Sequence, residues 1–237
     1  DTPATATTLV EILLEAGVPP GVINIVHGGG TVVGNALVGH PEVDLISFTG
    51  STGVGKRISE IASKTLKRVS LELGGKNAQI VMEDANLELA LEGVLWGAFG
   101  TTGQRCTATS RLIIHEKVYD KFVSMVADHA KKLRVGDGLK DNVDVGPCVN
   151  KKQREIVDEY VKIGMGEGAK LLSGGKPAKG DGLSNGWFYE PTVLGDVTPS
   201  MRVAKEEIFG PVLSVIKVKS LDEAIDVSND TMYGLSS

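Results

Sequence analysis

One thiol stands apart in the stretch FGTTGQRCTATSR, residues 99–111. Cys106 sits there among Gln104, Arg105, Thr107, Thr109 and Ser110, all polar. The only other cysteine is Cys148, in VGPCVN. A solitary cysteine usually acts as a small buried hydrophobe, and that reading suits Cys148. The polar setting of Cys106, just after a helical segment ending near Phe99 or Gly100, suits a nucleophile better. A nucleophilic thiol needs a lowered pKa, or a base that acts on it or on a later water.

The four histidines do not supply that base. His115 ends an apolar strand and His129 lies on an amphipathic helix face, so both read as structural. His27 and His40 fall in turns. None makes a recognisable Cys–His arrangement, which speaks against a papain-like hydrolase. The better candidate is Glu72 in LELGG, a carboxylate at an apolar strand end followed by two glycines. Burial would raise its pKa and make it a competent base near neutrality. The alternative, a strand-end glutamate facing solvent, stays equally open.

Glycine loops supply a third element. FTGSTGVG places Gly50, Ser51, Gly53 and Gly55 between a strand and a helix. Unpaired N–H groups at such a helix start can bind phosphate oxygens. The spacing is not the strict GxGxxG dinucleotide fingerprint, so alone it is weak. GGGTVVG, with Gly28, Gly30 and Gly34, is weak alone too.

The elements that position these residues follow from periodicity. Leu9, Ile12, Leu13 and Ala16 predict a helix over 4–16. VINIV (22–26), LISFT (45–49) and RVSLEL (68–73) predict strands, and STGVGKRISEIASKT predicts a helix capped by Ser51 or Thr52. GGGTVVGNALVGH predicts a Gly-rich turn and a short helix. The alternation implies parallel pairing through crossovers, a doubly wound half-sheet. The pattern then restarts. QIVM, SRLIIHE, AKLLSGG and PVLSVIKV predict strands. Helices are predicted for ANLELALEGVLWGAFG (Asp84 or Asn86 near its N-cap), KVYDKFVSMVADHAKKL, KKQREIVDEYVKIGMGEG and LDEAIDVSND. The boundary falls near Gly74–Gly75, giving domains 1–74 and 75–237. Residues 174–186, GGKPAKGDGLSNG, predict a flexible surface excursion.

Composition narrows the class. The 237 residues suffice for one large or two small domains. With 41% hydrophobic and 23% charged residues, the chain reads as an ordinary soluble protein. A net charge of −5 without a basic run argues against nucleic acid. No apolar run suits a membrane span, and DTPATATTLVEILLEAG is not a signal peptide. Two cysteines make no disulfide framework, so a cytoplasmic chain with free thiols is the simpler expectation.

Taken together, FTGSTGVG, LELGGKNA (71–78), FGTTGQRCTATSR and KEEIFGPV (205–212) resemble the aldehyde dehydrogenase superfamily in order and spacing, over essentially the whole chain. The resemblance implies an α/β fold: part of a doubly wound Rossmann-like cofactor domain, followed by most of an α/β catalytic domain. It implies oxidation of an aldehyde to a carboxylic acid with NAD or NADP. Cys106 would be the nucleophile, through a thiohemiacetal and a thioacyl enzyme. Glu72 would be the general base for the hydrolytic water and would help deprotonate Cys106. Ser51 would contact the cofactor pyrophosphate, and Gly50 and Gly55 would belong to the cofactor site with it. Gly30 and Gly34 would admit the adenosine end. Glu207 would hold the nicotinamide ribose, with Phe209 packed near the nicotinamide, and Gln153 would touch the cofactor as well. The backbone N–H of Cys106 would form half of an oxyanion hole, a kind of donor often worth ~3 kcal/mol in acyl transfer.

The same resemblance implies a central fragment of about half the family's length, from a homo-oligomeric parent. The family's PWN segment (whose asparagine completes the oxyanion hole), its KP(S/E) segment and its late Pro-Phe-Gly-Gly segment have no counterpart here. Two other readings stand beside hydrolytic oxidation. One is transfer of the acyl group to coenzyme A, which the glutamate at position 72 disfavours. The other is a folded fragment without dehydrogenase turnover, retaining only thiol esterase activity.

Overall fold

Apolar, β-branched runs bounded by glycine and polar turns build the sheets of the computed structural model, which describes residues 2–180 and 182–237. Asp1, first residue of the expected 1–74 domain, and Asp181, inside the 174–186 excursion, lie outside the described residues. The chain divides between Leu73 and Gly74 into two units.

The first unit begins with α1 (Pro3–Glu15), which buries none of its residues; Leu9 and Ile12 are exposed. A π-helical turn, Gly30–Gly34, runs straight into α2 (Asn35–Gly39), so helical structure begins inside the glycine run rather than after it. Then follow β1 (Leu45–Thr49), α3 (Thr52–Ser63) and β2 (Arg68–Glu72). β1 and β2 pair in parallel, Leu45 opposite Arg68 and Thr49 opposite Glu72, as a strand–helix–strand crossover unit requires. Val38, Ile58 and Ala62 are its buried apolar side chains. The strand expected at 22–26 does not form. No described strand pairs with it, Val22 and Val26 are exposed, and an apolar run without a ladder partner has nothing to make it a strand.

The second unit holds β3 (Ala78–Val81), α4 (Leu87–Phe99), a 3-10 turn (Gly100–Gly103), β4 (Arg111–His115), α5 (Glu116–Ala130), α6 (Lys151–Gly166), β5 (Lys170–Ser173), β6 (Thr192–Gly195), α7 (Arg202–Lys205), β7 (Val212–Val218) and α8 (Leu221–Asn229). The sheet order is β3-β4-β7-β6-β5; all neighbours are parallel except β5 with β6. β4 is buried along its whole length, as a central parallel strand covered on both faces must be. Its side chains alternate. Leu112 and Ile114 join Val94, Phe99, Phe122 and Val126 of α4 and α5, while Ile113 joins Ala224 of α8. On β7, Leu213 and Val215 face the first group; Val212 and Ile216 face Val157 and Val161 of α6. Asn86 caps α4, its Oδ1 accepting from the amides of Glu88 and Leu89. β6 and α7 are absent from the sequence reading. Described residues of the 174–186 stretch carry a bridge from Pro177 to Tyr189 and a 3-10 turn at Leu183–Asn185. Among the described residues no helix is long and apolar enough to cross a membrane.

Candidate functional site

Three segments lead into three adjacent parallel strands: 74–77 into β3, 100–110 into β4, 206–211 into β7. Parallel neighbours share one amino edge, so the topology forces these segments together. That edge carries Cys106, Glu207 and Phe209.

Cys106 occupies a tight turn closed by the Ala108 amide on the Arg105 carbonyl at 3.1 Å. It is half-buried, its thiol unpaired. Its own N–H donates to no acceptor among the described residues. Ahead of it, Thr101, Thr102 and Gly103 all have left-handed backbone, with φ of 54°, 59° and 64°. Such a conformation in β-branched residues is an outlier. Thr102 Oγ1 secures it by donating to the Gly146 carbonyl at 3.1 Å. A Cβ on Gly103 would collide with the Gly210 carbonyl, so the glycine is what lets the cysteine segment and the 206–211 segment touch.

The Cys106 backbone is held from below by the GGKN segment. Asn77 Nδ2 donates to the Cys106 carbonyl at 2.6 Å and to the Ala108 carbonyl at 3.0 Å. Its main-chain carbonyl accepts from Ser110 and Arg111. A Cβ on Gly75 would lie 2.5 Å from the Cys106 carbonyl oxygen. Sequence reasoning missed Asn77; the available signal was its place in the same LELGGKNA run as the candidate base. Cys148 is buried, and burial pushes its thiol up to about 11, against the smaller opposing influence of Arg154. His115 is structural: Nδ1 accepts from the Lys117 amide at the start of α5, and Nε2 meets the Lys219 carbonyl.

Glu207 is half-buried, its Oε1 accepting from the Gly75 amide at 3.0 Å. Phe209 is partly exposed and left-handed, with φ 57°. Gln153 holds that strained turn. Its Nε2 donates to the carbonyls of Ile208 and Phe209, each at 2.9 Å, and its amide caps on Asn150 Oδ1. Its side-chain amide nitrogen is therefore committed to positioning the Phe209 loop. Behind the loop, Glu206 accepts from Arg202 at 2.8 and 2.9 Å and from Tyr160 at 2.7 Å. The hydrogen bond from Arg202 and then that from Tyr160 hold the Glu206 carboxyl down at about 2.

The remaining sequence-derived residues belong to the first unit. Gly50 and Ser51 follow the carboxyl end of β1, and the Gly50 amide donates to the Glu72 carbonyl at 2.9 Å. Ser51 is the N-cap of α3, its Oγ accepting from Val54 at 3.5 Å. The first-turn amides of Thr52 and Gly53 have no acceptor among the described residues. This edge at the carboxyl ends of parallel strands, opening onto a 12-residue helix, fits a phosphate group. Gly55 does not offer its amide there: the N–H bonds Ser51 O at 3.0 Å. A Cβ on Gly55 would lie 2.6 Å from Leu73 Cδ2, so this glycine serves helix–strand packing instead. Gly30 and Gly34 have no neighbour within 4 Å of a built Cβ. Glu72 is exposed at the end of β2. Of the two settings left open for it, the solvent-facing one is observed, because the alternating β2 pattern turns residues 68, 70 and 72 outward.

The family model described as "Aldehyde dehydrogenase family" matches residues 1–237. A betaine aldehyde dehydrogenase of Bacillus subtilis (strain 168) is 44% identical over 235 residues, 99% of this chain and 48% of that protein. Retinaldehyde dehydrogenase 3 of Homo sapiens is 49% identical over 236 residues, 99% of this chain and 45% of that protein. The crystal structure of a Staphylococcus aureus betaine aldehyde dehydrogenase in complex with NAD+ superposes with a TM-score of 0.96 at 40% identity, covering 99% of this chain and 46% of that one. The chain thus spans about half the length of the relatives it matches.

Proposed function

Since the chain belongs to the aldehyde dehydrogenase family, we propose that it carries the nucleophile, the base and much of the cofactor site for oxidation of an aldehyde to a carboxylic acid with NAD or NADP. The observation that carries this reading is the Cys106 turn. It presents an unpaired thiol beside its own undonated amide, on a backbone pinned by Asn77 and Gly75.

The Cys106 thiolate adds to the aldehyde carbon, and the C=O electron pair moves onto oxygen. The Cys106 N–H donates to that oxygen as charge develops. A bound nicotinamide would supply the acceptor for the hydride of the tetrahedral carbon, whose loss turns the adduct on Cys106 into a thioester. Glu72 takes a proton from water, the water oxygen adds to the thioester carbon, and the C–S bond breaks to release the carboxylate and restore the thiolate. Exposure at the end of β2 leaves Glu72 accessible to that water. Ser51 and the amides of Thr52 and Gly53 bind the pyrophosphate. Glu207, fixed on the Gly75 amide, takes the nicotinamide ribose, and Phe209, fixed by Gln153, packs beside the nicotinamide.

The test is to follow NAD(P)H formation and ester hydrolysis side by side in the whole protein, with and without coenzyme A. Turnover to free acid that ignores coenzyme A is the expected result. Turnover that requires coenzyme A would replace water as the acceptor. Ester hydrolysis without NAD(P)H formation would reduce the function to thiol esterase activity.

A further inference from the structure

Lys76 is the most deeply buried charged side chain near the Cys106 turn, only 1% exposed. Its Nζ has no hydrogen-bond partner among the described residues. A buried amine in that condition is costly and must find an acceptor. Burial, and secondarily Arg111, push it down to about 7, against the opposing pull of Glu207 and Glu206.

Of those carboxylates, Glu207 keeps the more unused acceptor capacity. Glu206 already receives Arg202 and Tyr160. Glu207 uses Oε1 on the Gly75 amide, while Oε2 lies against Gly74 where a Cβ would stand, with no donor among the described residues. The amide that fixes Glu207 therefore belongs to the residue preceding Lys76. The two side chains also line the same cavity of about 10 Å³, with Gly103, Arg105 and Phe209. Such a volume admits one water. Arg105 Nε, likewise buried without a partner, belongs to the same lining. Arg111 is occupied elsewhere, donating to the carbonyls of Lys76, Val227 and Ser228, each at 2.8 Å.

We propose that Lys76 is a positioning residue for Glu207: through one water in this cavity its amine fixes the free carboxylate oxygen, and so the group that holds the nicotinamide ribose. This rests on reading Glu207 as a cofactor contact. The test is a double-mutant cycle on NAD+ affinity in the whole protein, using Lys76→Met, Glu207→Gln and the pair. Lys76→Met should weaken binding about five- to tenfold, and the pair should bind no more weakly than Glu207→Gln alone, because the lysine acts through the glutamate. Additive losses, or an unchanged affinity in Lys76→Met, would overturn the proposal while leaving Glu207 in place. Unchanged affinity in Glu207→Gln would remove the cofactor reading and the proposal with it. A second readout does not need the lysine variant to fold. In lysine-selective NMR of this chain, Glu207→Gln should move the Lys76 titration to lower pH, since the carboxylate that favours the ammonium is gone. An unmoved titration would contradict the coupling.

Discussion

Cys106→Ala in the whole protein is expected to abolish aldehyde oxidation and ester hydrolysis together, a loss on the order of 10⁴- to 10⁶-fold in each. On the proposed mechanism both reactions would form a bond between carbon and the Cys106 sulfur, so neither should survive its removal. The hydroxyls nearby do not replace it: Thr109 Oγ1 meets Gln79, and Ser110 Oγ donates to the Ala108 carbonyl. The control is Cys148→Ala, for which little change is expected. Cys148 is buried with its thiol pushed up to about 11, so on the order of one molecule in 10⁴ carries the thiolate at neutral pH. Initial rates of NAD(P)H formation and of ester hydrolysis check both variants. Retention of either activity by Cys106→Ala would show that it runs through another group.

Glu72→Gln keeps the side-chain shape at the end of β2 and removes the carboxylate. Acylation and the first hydride transfer persist in part. Hydrolysis should slow by about 10²- to 10⁴-fold, the usual contribution of a positioned base. Rapid mixing should then record a burst of NAD(P)H close to one equivalent per site, followed by a much slower steady state. A steady state equal to that of the unaltered protein would remove Glu72 from the mechanism.

Much of this was legible in the residues, and the failures have specific causes. β4 and β7 came directly from apolar runs, because a strand buried on both faces needs no alternation to be seen; β1 was read from LISFT in the same way, although its residues alternate between exposed and half-buried. The run at 22–26 looks the same but finds no described strand to pair with; a run of apolar residues does not reveal its partner. β6 has four residues, TVLG, between Pro191 and Asp196, too short for a period to register. Ser51 was legible as a cap, since a small hydroxyl residue after a strand and before a helix has few other uses there. Asn77 and Gln153 were harder. Amide side chains that bind backbone carbonyls leave no pattern, and their partners lie 29 and 55 residues away along the chain. The gathering of the Cys106 and Glu207 segments was invisible until β3, β4 and β7 proved to be adjacent and parallel. The setting of Glu72 could not be read: the motif marks the residue, but its burial depends on what covers β2, which the motif does not encode.

The central claim is that the acyl group is carried on Cys106. It is tested most directly by mixing the Glu72→Gln variant with an aldehyde and NAD+, quenching in acid during the slow phase, and mapping peptides by mass spectrometry. The expected result is one added acyl mass, confined to the peptide that contains Cys106 and absent when NAD+ is omitted. An adduct on the Cys148 peptide, or NADH formed with no acyl mass on either cysteine, would contradict the account.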